Sequence, residues 1–176
     1  MHTTTRSALV LATCLATVLV ARPALADPAP PPQPPSPAFE RLKGLAGEWA
    51  GTGTFGDQKI ETRASIRVVS AGSAVMITTD PGGAHEMVTL IHRDDGALVA
   101  THYCAAQNQP RMKAIPSADA TRIVFEFFDG TNLRAYPAHM QRLAVTIPSP
   151  DRHVQEWTHR DGGKDSVGVF DLSRVK

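Results

Sequence analysis

Beyond residue 60, apolar and polar residues alternate in short runs broken by turn residues. In the run 60–69, Ile60, Thr62, Ala64, Ile66 and Val68 share one parity, while Glu61, Arg63, Ser65, Arg67 and Val69 share the other. A period of two is the mark of a half-buried strand. Ala74 to Thr79 follows and ends in Asp80-Pro81-Gly82-Gly83, a strong turn signal. Runs 85–93 and 97–104 flank Asp94-Asp95-Gly96 and read as a hairpin. Run 107–115 is less regular. Four more strands are predicted over 122–128, 141–147, 154–160 and 166–172, punctuated by Asp129-Gly130, Pro148-Ser149-Pro150 and Asp161-Gly162-Gly163. Upstream, Phe39, Leu42 and Leu45 recur every third residue, which suits one or two helical turns with an apolar face. The glycines of Gly51-Thr52-Gly53-Thr54 let a strand bend or approach another backbone closely. The pattern predicts an all-β, antiparallel barrel or sandwich of about 8–10 strands, opened by a short helix. A barrel is favoured because many strands carry polar residues on both faces, and a cavity can hold them against ligand or water.

The first residues follow a different logic. Arg6 closes a polar segment, residues 8–20 carry no charge, and Ala24-Leu25-Ala26 offers small residues around a cleavage point. This is the pattern of a secretory signal peptide over 1–26. The apolar run is shorter than the roughly 20 residues that span a bilayer. A lipoprotein signal at Leu11-Ala12-Thr13-Cys14 competes, but Thr13 suits it poorly and the apolar core would shrink to a few residues. Seven of the chain's 14 prolines then fall between Pro28 and Pro37, an extended, solvated spacer over 27–37. The barrel domain is expected over 38–176. The expected location is periplasmic or extracellular, with no integral membrane span in the mature chain.

Cleavage after Ala26 removes two of the 18 basic residues, Arg6 and Arg22, leaving 16 against 17 acidic ones. Such a surface has no net field to draw nucleic acid or an anionic membrane. Cys14 also leaves, so Cys104 stands alone and no intrachain disulfide can form. Stability must come from a packed core.

Three stretches resemble known barrels. Leu45-Ala46-Gly47-Glu48-Trp49-Ala50-Gly51-Thr52-Gly53 is similar to the opening of small lipocalin-like (calycin-type) barrels, including nitrobindin-type haem proteins. His85-Glu86-Met87-Val88-Thr89 and the run from Thr101-His102-Tyr103-Cys104 to Asn108-Gln109-Pro110-Arg111-Met112 resemble a group of largely uncharacterised bacterial exported proteins. Asn132, His139-Met140 and Trp157 fall where that group's later motif residues lie. The resemblance implies a calycin-type barrel and carries no established activity. The nitrobindin likeness makes haem a possible cofactor, with His153 or His159 as the candidate ligand.

The block 85–112 is unusually polar for consecutive strands. If Asp94-Asp95-Gly96 is a three-residue loop, His102 faces Val88 and shares a side with Glu86. If Asp95-Gly96 is a two-residue loop, His102 faces Thr89 and shares a side with His85 and Met87. In both cases Cys104 lies on the side of His102. A Glu86–His102 pair suits acid–base chemistry, and His85, His102 and Cys104 are suitable zinc ligands. There is no HExxH and no nucleophile signature. The plainer reading is a buried polar network that sets strand register. Arg111 either clamps a carboxylate or phosphate of a ligand or pairs with a protein carboxylate such as Glu126. Phe125, Phe127, Phe128, Trp49 and Trp157 read as core. The reading is therefore a small-ligand-binding barrel more than an enzyme. Its candidate contacts are His85, Glu86, His102, Cys104, Asn108, Gln109, Arg111 and His139.

Overall fold

The computed structural model describes residues 35–176; the expected signal peptide and all but the last residues of the spacer lie outside the described residues. The described chain opens with a helix, α1 (Pro37–Gly44). Ser36 caps it in extended conformation, its hydroxyl accepting from Phe39 N at 3.4 Å, and Pro37 takes the first turn, where no amide donor is needed. The helix thus begins one residue before the expected domain start. Phe39 and Leu42 are buried, as the three-residue spacing predicts, and Leu45 is buried just beyond the helix.

Ten antiparallel strands follow: β1 (Gly47–Phe55), β2 (Gln58–Val69), β3 (Ala74–Thr79), β4 (Met87–Asp94), β5 (Ala97–Tyr103), β6 (Gln109–Ile115), β7 (Arg122–Thr131), β8 (His139–Ser149), β9 (Arg152–Asp161) and β10 (Lys164–Arg174). Each pairs with its neighbours in sequence, and β1 closes the ring against β10. Closure leaves no strand edge unpaired. The fold is the all-β antiparallel barrel that the alternation predicts.

Closure at β1 depends on glycine. A Cβ on Gly51 would stand 2.0 Å from the backbone oxygen of Asp171 on β10. On Gly53 it would press into the side chains of Ile60 and Phe170 at 3.1 Å. These are the close approaches that the glycine-rich opening foreshadows.

Helix α1 covers one end of the barrel, here the floor. Phe39, Leu42, Leu45 and Trp49 join Leu98, Ile123, Val145 and Leu172 in one buried cluster that continues through the interior. Arg174 ties the floor together. Its guanidinium donates to Ala46 O (2.7 Å), Gly44 O (3.1 Å) and Pro150 O (2.8 Å), pairs with Asp151, and lies 4.4 Å over the Trp49 ring. The opposite end is the mouth. It carries the β3–β4 loop, the β5–β6 turn and the β7–β8 loop.

Candidate functional site

The turn between β4 and β5 sets which side chains share the interior. Asp95 (φ 45°) and Gly96 (φ 86°) both take positive φ, the geometry of a two-residue hairpin turn, and Asp94 pairs with Ala97. Thr89 then faces His102 across the strands. Both point inward, Thr89 at 1% and His102 at 2% exposure. Thr89 Oγ1 and His102 Nδ1 are hydrogen bonded at 2.9 Å.

From His102 a line of polar and aromatic groups crosses the interior. The His102 ring centroid is 4.7 Å from that of Trp157, tilted by 45°. Trp157 Nε1 donates to Gln155 Oε1 at 3.1 Å, and the Gln155 amide nitrogen is 3.1 Å from His153 Nε2. An indole N–H can only donate, so the Gln155 oxygen faces it and the Gln155 NH2 donates to His153. Neutral His153 therefore carries its proton on Nδ1. Its ring meets Trp49 edge-on at 4.3 Å, and Trp49 Nε1 donates to Leu45 O at 2.8 Å, beside the floor helix.

Both histidines are uncharged at neutral pH. Burial lowers His102 from the ordinary 6.5 to about 4. Burial also lowers His153 to about 4, helped by the Arg174 guanidinium and opposed by the Asp171 carboxylate. Each of these two histidines has one ring nitrogen, His102 Nε2 and His153 Nδ1, that is buried without a hydrogen-bond partner among the described residues, as is His139 Nε2 near the mouth. Leaving such a group unmatched costs about 1–3 kcal/mol. His153 sits deep in the floor half. His102 is next to the last residue of β5 and lies nearer the mouth.

A cleft of about 270 Å³ opens at the mouth between β1, β2, β3, β4 and β10. Phe55, Ile60, Met87 and Phe170 form its apolar wall; Thr62, Thr79, His85, Glu61 and Asp80 supply its polar atoms. Phe55 and Ile60 are more than 40% exposed, and the Phe55 and Phe170 rings meet edge to face at 5.3 Å. Met87 is the same-face neighbour of Thr89 on β4, which lies about 7 Å deeper; Thr89 and His102 themselves do not line the cleft.

The expected site residues separate into three groups. His102 is interior, and His85 is exposed in the cleft wall, on the side the two-residue turn requires. Glu86 does not join them. It is exposed, its carboxylate accepts from Gly82 N at 2.6 Å, and the observed register puts it on the opposite parity from His102. The Glu86–His102 pairing is thereby corrected. Arg111 is corrected too: it points outward and forms a two-pronged pair with Asp129, with Phe128 beneath it, rather than reaching His102 or Glu126. Plain alternation on β6 aims Arg111 outward, since Pro110 and Met112 on either side are buried and Arg111 pairs with Thr101, not with His102; the bulge opposite lies on β7, where Phe128 is the extra residue.

Asn108 and Gln109 lace the mouth loops together. Asn108 is fully buried, and its amide donates to Tyr136 O (2.8 Å) and Ala138 O (2.7 Å). Thr131 donates to Gln109 Oε1 at 2.5 Å, and Asn132 donates to Gln107 O at 3.0 Å. Cys104 is a half-buried free thiol at the same turn. His139 bonds Pro137 O through Nδ1 at 2.6 Å and packs its ring 4.4 Å from Phe127. His85, His102 and Cys104 do not converge: among the described residues no three His, Cys, Asp or Glu side chains are placed to hold a metal ion.

The interior partners Thr89, Gln155 and Trp157 escape the sequence reading as site residues. A signal exists on β9, where His153, Gln155, Trp157 and His159 share one parity while Arg152, Glu156 and Arg160 share the other. Charged residues on one face mark the opposite face as the inner one, even when that face is polar.

No family model and no curated protein matches this sequence. The solved structure of Rv2717c from M. tuberculosis is similar over 80% of this chain and 99% of its own, with TM-score 0.55 and 18% identity. That likeness bears on the barrel fold alone. A DUF3598-family protein of unknown function from Nostoc punctiforme aligns with 76% of this chain and 48% of its own, at 14% identity and TM-score 0.42. Among the described residues, no helix is long and apolar enough to cross a membrane.

Proposed function

We propose that this chain is an exported, lipocalin-like barrel that binds a small, partly apolar molecule entering at the mouth, with His102 as its inner polar contact. One observation carries the reading. His102 is almost wholly buried, its Nδ1 is engaged by Thr89, and its Nε2 has no hydrogen-bond partner among the described residues. Buried polar atoms are nearly always satisfied, so an unmatched one calls for a partner from outside the chain or for a functional reason. The exposed aromatic and aliphatic wall above it supports the same reading, since apolar surface beside a cleft favours ligand contact. Export rests on the sequence pattern of residues 1–26 and on cleavage before Asp27.

Native mass spectrometry of the mature protein from its own host tests this. A retained small molecule is expected, and it is expected to be lost in His102→Ala. N-terminal sequencing tests export: an intact Met1 or a lipidated Cys14 would reject it.

Haem is the second reading, and it turns to His159. His153 is enclosed at the floor with Nε2 bound to Gln155, whereas His159 occupies a mouth-end position on the inner parity of β9. Reconstitution with haem and a search for a Soret band that His159→Ala removes would decide it.

A further inference from the structure

The charge of the groups lining the cleft, and of those buried beneath it, restricts a ligand that enters there. Glu61 and Asp80 stand at the cleft, and no lysine or arginine lines it among the described residues. Thr62 and Thr79 add hydroxyls to the cleft wall, and the polar side chains buried on the inner face beyond it, Thr89, His102, Gln155 and His153, are a hydroxyl, an amide and two imidazoles that burial keeps neutral. The one cation that the sequence reading sends to the ligand, Arg111, is paired with Asp129 on the outer wall, and Arg160 is paired with Asp165. Arg174 belongs to the floor clasp.

An anionic ligand would therefore meet carboxylates at the entrance and no counter-charge within. Burying a charge without a partner is strongly unfavourable, whereas a neutral polar group needs only a hydrogen bond. His102 Nε2 can supply one such bond, as donor or acceptor according to tautomer. We infer that the site takes an uncharged ligand: an apolar body carrying one neutral hydrogen-bonding group, such as a primary amide or an alcohol, and not a carboxylate or other anion. This rests on the ligand-binding reading above and gives it a chemical class.

Calorimetric titration of the mature protein at pH 7.5 with octanamide and with octanoate tests the inference, because the two share one chain and differ in charge. Octanamide should bind at least about tenfold more tightly than octanoate, the penalty expected for an unpaired buried charge. Octan-1-ol, a second neutral probe, should behave like the amide. His102→Phe keeps a ring and removes the nitrogen, so it should weaken octanamide binding while leaving octanoate unchanged. Should that variant fail to fold, the comparison among the three probes on the wild-type protein still decides. Octanoate binding as tightly as octanamide would overturn the charge class and leave the ligand-binding reading standing. If none of the three probes binds, the ligand-binding reading fails and takes this inference with it.

Discussion

His102 on β5 and Trp157 on β9 stand four strands apart in a ring of ten, yet their ring centroids are 4.7 Å apart. The contact spans the barrel interior. It joins the Thr89–His102 pair of one wall to the Trp157–Gln155–His153 line of the other.

His102→Ala should lower stability by about 2–4 kcal/mol, since it leaves a cavity under Trp157 and strips Thr89 of its partner. Urea melts measure that loss. The same melts with octanamide present separate packing from function. Stabilisation by octanamide in the wild type but not in the variant is the expected pattern; equal stabilisation in both would show that His102 only packs.

Acid should destabilise the protein over a defined window. His102 and His153 have folded-state values near 4 against about 6.5 unfolded, both lowered chiefly by burial. The unfolded chain therefore binds more protons between these values. Stability from the two rings is fully present above pH 6.5 and is lost as pH falls through 4. Each ring contributes roughly 3 kcal/mol over the whole range. Urea midpoints at pH 7.5, 5.5 and 4.5 should fall in order, and His153→Gln should flatten the curve. A midpoint independent of pH across that interval would contradict neutral burial of both rings.

Gly51→Ala should be severe. The new methyl would overlap the Asp171 backbone oxygen, and backbone cannot step aside without parting β1 from β10. A loss of at least about 3 kcal/mol is expected, comparable to the worst overpacking in cores. Gly44→Ala is the control, because nothing lies within 4 Å of its added methyl and the site is helical. It should be neutral or stabilising by up to about 1 kcal/mol. Thermal melts of the two variants should move apart, and a mild Gly51→Ala would refute the close approach.

Asn108 and Arg111 are neighbours in sequence with opposite expected outcomes. Asn108→Ala removes two part-buried hydrogen bonds from a fully buried amide to the β7–β8 loop and should cost about 2 kcal/mol. Arg111→Ala breaks an exposed pair with Asp129 and should cost less than about 1 kcal/mol, with no effect on octanamide binding. Reduced octanamide affinity in Arg111→Ala at unchanged stability would return this arginine to the ligand site.

Much of the architecture is legible in the chain because it is local. The period-two run 60–69 falls on β2, the spacing of Phe39, Leu42 and Leu45 marks the floor helix, and turn residues separate the strands. Each signal is written within a few neighbouring residues by side-chain direction and backbone preference. Even the inward turn of His102 follows from sequence once the loop at Asp94-Asp95-Gly96 is known, but composition allows two registers there. Only the paired positive φ of Asp95 and Gly96 chose the one that brings Thr89 to His102 and leaves Glu86 outside. The β5–β6 register, which sets Met112 beside Ala100 and Arg111 beside Thr101, decided that Arg111 faces solvent, where Asp129 meets it. Ring closure decided that His102 meets Trp157. Contacts of that kind join residues remote in sequence, and strand alternation specifies a face for each of them without specifying which opposing side chain it will touch.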